Sequence, residues 1–200
     1  MKKLVAIIVV LLLTAGAALL LRAPQKPYYL SIAAIMKNEK PYLKEWLEYH
    51  LMQGIEHFYL CDNDSTDGTE QYLQPYIANN TITYIKQSGT NQQLKCYEKI
   101  VAKYKNETEW LAFIDLDEYL VPLKAPNMPA FLKEFEDVSE VSLNWMNYGD
   151  SGAISRPTGL ITEFFTSHGR YLNHTVKSIV RPEKVIDFNA FGSNHYMRVE

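Results

Sequence analysis

Three carboxylates fall within four residues at Asp115-Leu-Asp117-Glu118, directly after the apolar run Trp110-Leu-Ala-Phe-Ile114. Acids this close repel one another and raise each other's pKa unless a cation sits among them. Asp115 and Asp117 are two apart, so a continuing strand would put them on one face, and a turn would still leave them close. Two hard oxygen donors at a strand's end suit Mg²⁺ or Mn²⁺, above all where substrate phosphates complete the shell. An isolated Asp-x-Asp is more often a solvated acidic turn, so the weight rests on what accompanies it.

Two further polar clusters share that setting. Lys37-Asn38-Glu39 follows the apolar run Tyr29–Met36, and Asp62-Asn63-Asp64 follows Ile55–Cys61. Both runs read as buried strands. Between them, Leu43, Trp46, Leu47 and Leu51 recur at helical spacing, with Pro41 suited to the first turn and Gly54 to the end. Further helices are expected over about 69–77, 91–104 and 128–136, with strands at 81–85, at 138–146 and in the run that ends at Asp115. Strand alternating with helix predicts an α/β fold, a mostly parallel sheet with flanking helices. In such sheets ligands bind outside the carboxyl ends of the strands. The three clusters then line one edge of one sheet, which favours a metal and nucleotide site over three unrelated turns.

Other readings of the same residues fail in detail. The chain has no G-x-G-x-x-G and no Walker A sequence, which excludes NAD and P-loop ATP binding of the usual kind. A calcium loop starting at Asn63 would end on Gln74 where a bidentate Glu is wanted, and no helix precedes it. An aspartyl-nucleophile phosphatase would place its motif on the first strand, with Thr or Val where Tyr119 stands. The 200 residues carry a net charge of −3, with 47% hydrophobic and 12% aromatic residues. That composition describes a folded globule with no basic surface for nucleic acid. Cys61 and Cys96 match no zinc spacing; Cys61 reads as a buried thiol, and no disulfide framework is indicated.

Lys2 and Lys3 precede the 18 uncharged residues Leu4 to Leu21. As a helix this stretch would be about 27 Å long, close to the thickness of a bilayer's hydrocarbon core. It is expected to be an uncleaved signal anchor, with a cleaved signal peptide as the alternative. The expected organisation is an anchor and linker over 1–26 and a catalytic domain over 27–200. Single-pass membrane attachment would be of Golgi type in a eukaryote, or at the inner membrane in a bacterium. Sequons at Asn63, Asn79, Asn106 and Asn173 leave the side of the membrane open, and a glycan on Asn63 would block the proposed nucleotide loop.

The series Ile35-Met-Lys-Asn-Glu39, Glu45-Trp-Leu-Glu-Tyr-His50, Tyr59-Leu-Cys-Asp-Asn-Asp-Ser-Thr-Asp67 and Asp115-Leu-Asp-Glu-Tyr119 resembles the GT-A glycosyltransferases. It is most similar to glycosyltransferase family 92 and its bacterial relatives of the family 2 type. The likeness continues through Trp145-Met-Asn-Tyr-Gly149 and Lys177-Ser-Ile-Val-Arg-Pro182, and covers residues 29–200. The resemblance implies a GT-A type, Rossmann-like sheet and a metal-dependent transferase using a nucleotide-diphosphate sugar. It implies that Asn38, Glu39, Asp62 and Asn63 hold base and ribose, and that Asp115 and Asp117 hold metal and diphosphate. His195 would complete the metal or diphosphate site, and Lys177 and Arg181 would add positive charge near the diphosphate.

An inverting transferase needs one carboxylate base near the acceptor hydroxyl. Asp150 is the candidate, in Tyr148-Gly-Asp-Ser-Gly152, where the family commonly has small residues; Glu118 and Glu163 are the alternatives. Residues 151–174 are expected to form a loop over the acceptor side, with a disordered insertion as the alternative. The expected partners are thus a nucleotide-sugar donor, a glycan or other hydroxyl acceptor, and a membrane. The competing function is a catalytically inactive nucleotide- or carbohydrate-binding module of the same fold; a metal-dependent phosphohydrolase comes behind it.

Overall fold

The structure, a computed structural model, describes residues 25–150, 152–155, 159–188 and 197–200. The expected anchor at Leu4–Leu21 and the expected ligand His195 lie outside these residues. Among the described residues, no helix is long and apolar enough to cross a membrane.

The chain alternates strand and helix as its apolar pattern predicts. Strand β1 (Tyr28–Met36) leads to helix α1 (Lys40–Met52), β2 (His57–Asp62), α2 (Thr69–Ala78), β3 (Ile82–Lys86), α3 (Gln93–Tyr104) and β4 (Thr108–Phe113). Helix α4 (Met128–Leu132) continues as a 3-10 turn over Lys133–Phe135, where one longer helix was expected. Then come β5 (Glu140–Asn144), β6 (Tyr148–Gly149), α5 (Ile161–Phe164), β7 (Ser167–His168), β8 (Val176–Val180), β9 (Val185–Asp187) and β10 (Arg198–Val199).

Six strands form one sheet in the order β3-β2-β1-β4-β8-β5. The first four are mutually parallel along that order. Strand β8 is antiparallel to both β4 and β5. The expected mostly parallel α/β sheet is therefore present, with one reversed strand that periodicity does not reveal. The chain steps outward from β1 through β2 to β3, then crosses back to add β4 on the other side of β1. The switch point between β1 and β4 opens a crevice at their carboxyl ends, where such folds bind ligands.

Alternation along the strands fills two cores. Leu30, Ile32, Ala34 and Met36 of β1 face one way, against Leu43, Trp46 and Leu47 of α1 and Leu73 of α2. Ala33 faces the other way with Tyr59, Leu111 and Phe113, against Cys96, Tyr97, Ile100 and Val101 of α3. Burial on both faces explains why β1, β2 and β4 read as near-continuous apolar runs. Gly54, with φ +87, ends the turn after α1, and a Cβ there would lie 2.8 Å from Pro129 Cδ.

One sequence expectation is overturned. Cys61 and Cys96 are joined in a disulfide, with Cα atoms 6.3 Å apart, tying β2 to α3 inside the second core. Their sequence separation of 35 carries no spacing signal. The pairing arises only because α3 packs on the face to which Cys61 points.

Candidate functional site

The acidic cluster begins where β4 stops. The Glu118 amide donates to the Asp115 carbonyl at 3.2 Å, and the Asp115 amide donates to Glu118 Oε2 at 2.9 Å. This turn brings carboxylate oxygens of Asp115, Asp117 and Glu118 within 4.8 Å of one another. Leu116 and Leu120 between and beyond them are buried in the core, which fixes the acids toward the edge of the sheet.

Lys177 enters from β8. Its Nζ lies 2.6 Å from Asp115 Oδ2 and 3.3 Å from Glu118 Oε2, and 5.4 Å from the centre of the Trp145 ring. Burial pushes the Glu118 carboxyl up to about 7, against the downward pull of Lys177. On the other side, Gln93 at the start of α3 donates to Asp115 Oδ1 at 3.0 Å and to Tyr97 Oη at 3.1 Å.

With all three acids ionised, one ammonium leaves the cluster with a net charge of −2. Hard oxygen donors carrying that excess suit a divalent cation such as Mg²⁺ or Mn²⁺. The residues therefore fit the expected metal. Asp117 is the most exposed donor, while Asp115 and Glu118 are each already in contact with Lys177.

The loops after β1, β2 and β3 are laced together beside this turn. The Asn38 amide donates to Ser65 Oγ at 2.9 Å, and Asn38 Oδ1 accepts from the Thr66 amide at 2.8 Å. Asn38 holds φ +58 to do so, a left-handed conformation that asparagine tolerates better than most residues. Asp62 is buried; it accepts from the Ser65 amide at 2.8 Å and from the Tyr84 hydroxyl. Asn63 Nδ2 donates to the carbonyls of Gln87 and Gly89, both at 2.8 Å. Asp67 accepts from the Lys40 amide at 3.0 Å and the Thr69 amide at 3.1 Å, so one carboxylate serves the first turns of α1 and α2. Asp64 likewise accepts from the Ser88 hydroxyl at 2.6 Å and the Gly89 amide at 3.2 Å, and Glu70 pairs with Lys86 at 3.0 Å, so the carboxylates of 63–74 are already engaged, which argues against the calcium-loop reading. Burial, then the nearby carboxylates of Asp117 and Asp67, push the Glu39 carboxyl up. A cleft of about 490 Å³ runs along these loops, lined by Met36, Lys37, Asn63, Gln92, Gln93 and their neighbours.

The structure thus brings Asn38, Glu39, Asp62, Asn63, Asp115, Asp117 and Lys177 to one edge of the sheet. It does not bring Arg181 there. Residues 177 and 181 are four apart along an extended strand, about 13 Å, and because β8 is antiparallel to β4 it is the 177 end that meets the acidic turn. Arg181 pairs with Glu109 at 3.2 Å, and its guanidinium carbon lies 4.1 Å from the centre of the Trp110 ring, at the far edge. The expected role for Arg181 at the diphosphate is corrected accordingly. Asp150 is exposed after β6 and accepts from the Gly152 amide at 3.0 Å. Glu163 is in α5, whose first two amides and Thr162 hydroxyl donate to Glu45 of α1 at 2.7–2.8 Å. The expected loop over 151–174 thus contains α5 and the strand β7, which pairs with β6. Gln93 was not anticipated from sequence. The carboxyl-end rule would have pointed to it, since α3 follows β3 at the same edge.

Comparison with known proteins gives a consistent relationship. A family model described as glycosyltransferase family 92 matches residues 26–198. A glycosyltransferase family 92 protein of Ricinus communis is 27% identical over 164 residues, covering 80% of this chain and 30% of that protein. One of Arabidopsis thaliana is 28% identical over 167 residues, covering 77% and 29%. The chain therefore spans under a third of the length of these two relatives. Among solved structures, S. aureus TarS 1–349 in complex with UDP-GlcNAc aligns with a TM-score of 0.45 at 18% identity, covering 64% of this chain and 37% of that one.

Proposed function

The chain belongs to glycosyltransferase family 92, and from that membership we propose that this domain moves a sugar from a nucleotide diphosphate, a UDP-hexose, to a hydroxyl of a glycan or other acceptor, with inversion at the anomeric carbon. One observation carries this reading. The acidic turn, with Lys177 and Gln93 on Asp115, lies at the switch point of the sheet and beside a cleft bounded by the β1 and β2 loops.

In this reading the cleft takes the base and ribose. Asn38 and Asp62 shape its wall, because their side-chain oxygens are spent on the Ser65–Thr66 segment and on the Tyr84 hydroxyl. Asn63 holds the wall to the β3 loop through its amide nitrogen. Asp115 and Asp117 are the residues to hold a divalent cation, Mn²⁺ or Mg²⁺, with Glu118 beside them. When bound, such a cation offsets the charge that develops on the departing diphosphate. Lys177, gripped by Asp115 and Glu118, supplies a fixed positive charge at the same place. We assign the base to Asp150, which takes the acceptor hydroxyl's proton as its oxygen attacks the anomeric carbon and the diphosphate leaves.

The Cys61–Cys96 disulfide supports an oxidising compartment for the domain, since disulfides are rare in the cytosol. Taken with the expected anchor at Leu4–Leu21, this supports a membrane-attached domain facing away from the cytoplasm.

Calorimetric titration of UDP into the full chain, with and without Mn²⁺, tests the reading. The expected result is Mn²⁺-dependent binding that disappears in the Asp115→Asn/Asp117→Asn double variant. A folded wild-type chain that does not bind UDP under either condition would refute the donor site and favour an inactive module.

A further inference from the structure

Helix α1 touches the acidic turn through three side chains from one face, at positions 46, 49 and 50. Trp46 Nε1 donates to the Glu118 carbonyl at 2.9 Å. Tyr49 Oη donates to the Leu120 carbonyl at 3.1 Å. His50 Nε2 accepts from the Leu120 amide at 3.3 Å, and its Nδ1 donates to the Trp46 carbonyl at 2.8 Å. An imidazole that accepts an amide proton at one nitrogen and donates at the other is neutral, in a single tautomer. Trp46 and His50 are fully buried, so these bonds are not exchanged with bulk water. Tyr119 is held as well, with its ring 5.0 Å from Tyr49 and 5.8 Å from His50, centre to centre.

After β4 ends at Phe113 the chain leaves the sheet and forms no further strand until β5, so no strand ladder orients the peptides at 118–120. Two carbonyls and one amide would otherwise be left without partners beside the carboxylates. A shift of the Glu118 peptide moves the Asp117 and Glu118 side chains with it.

We propose that Trp46, Tyr49 and His50 are positioning residues: they fix the backbone at 118–120 and thereby set the spacing of Asp117 and Glu118 for a divalent cation and diphosphate. This rests on the metal and donor reading given above. It extends that reading to residues that meet neither ligand.

Tyr49→Phe deletes one donor and keeps its ring; Trp46→Phe deletes the indole N–H but puts a smaller ring in a fully buried position, so its melting temperature is compared with that of the wild type. The full chain and these variants are titrated with UDP, with and without Mn²⁺. The control is Glu48→Ala, which removes a different α1 contact, the 3.0 Å bond from Tyr76 of α2. Each of the two variants is expected to lose about ten-fold in Mn²⁺-dependent UDP affinity, the size of one lost hydrogen bond. Metal-free UDP binding and the control are expected to stay at wild-type level. Wild-type affinity in both variants, or an equal loss in Glu48→Ala, would overturn the positioning role while leaving the donor reading standing. Absence of Mn²⁺-dependent binding in the wild type would remove the donor reading and this inference together.

Discussion

Lys177 is on β8 and Asp115 follows β4, strands that run in opposite directions, and their charged atoms meet 2.6 Å apart at one edge of the sheet. The contact depends on β8 entering antiparallel beside β4, which puts the start of one strand next to the end of the other. Lys177 is also within 3.3 Å of Glu118, so removing it strips two acids of their cation. Lys177→Met is expected to destabilise the fold by about 1–3 kcal/mol, below the range for fully buried pairs because Asp115 is about one-third exposed. Mn²⁺ should then raise the melting temperature of the variant more than that of the wild type, because it finds the acids unopposed. Equal shifts in the two proteins would show that ammonium and metal do not share these carboxylates.

The disulfide gives a prediction of a different kind. Cys61 is next to Asp62, and Cys96 is one turn into α3 from Gln93, so the bond ties two sides of the cleft together. Closing a loop of 35 residues is worth about 3–4 kcal/mol through the entropy of the unfolded chain. The Cys61→Ser/Cys96→Ser variant should unfold at correspondingly lower denaturant, and dithiothreitol should move the wild type to the same midpoint. A wild type indifferent to reductant, with its thiols shown to be reduced, would mean the bond contributes nothing to the fold.

Much of this site was legible because its main residues follow apolar runs. Asp62 and Asp115 end or follow strands buried on both faces, and the parallel-sheet rule converts that local fact into a shared edge. What stayed hidden depends on the direction and neighbours of elements. The strand Val176–Val180 is not among those expected from sequence, and nothing local gives its direction; Lys177 and Arg181, expected together, prove to be at its opposite ends. Cys61 and Cys96 meet only through helix packing. Gln93 is an ordinary polar residue at a helix start, and its contact with Asp115 is tertiary.

Glu45 offers a test of the segment beyond β6. Its carboxylate accepts from the Ile161 amide at 2.7 Å and from the Thr162 amide and hydroxyl at 2.8 and 2.7 Å, across more than a hundred residues of sequence. A four-residue helix such as α5 has little stability of its own. Glu45→Ala should therefore speed amide hydrogen exchange at Ile161 and Thr162 by about ten-fold or more. Exchange at the β1 amides should not change. Unaltered protection at 161 and 162 would show that other contacts hold α5 in place.

His50 makes stability depend on pH in a direction its surroundings dictate. Burial lowers its pKa from the ordinary 6.5 to about 4, against a smaller upward pull from the Trp46 carbonyl. A base depressed in the folded state is protonated more readily when unfolded, so folding stability falls as protons are added. The contribution is complete above pH 6.5 and is lost as pH drops toward 4, a difference of about 3 kcal/mol. Protonation would also deprive the Leu120 amide of its acceptor, since a charged imidazole donates from both nitrogens. His50→Asn leaves a side chain without a charge to gain, though the smaller residue costs stability at every pH. Guanidinium unfolding at pH 7, 5.5 and 4.5 should show the wild type losing more stability with acid than this variant. Other titrating groups largely cancel in the difference between the two profiles. Parallel profiles would mean that His50 takes up its proton as readily in the folded chain as in the unfolded one, and the bond from Leu120 would then have to be abandoned.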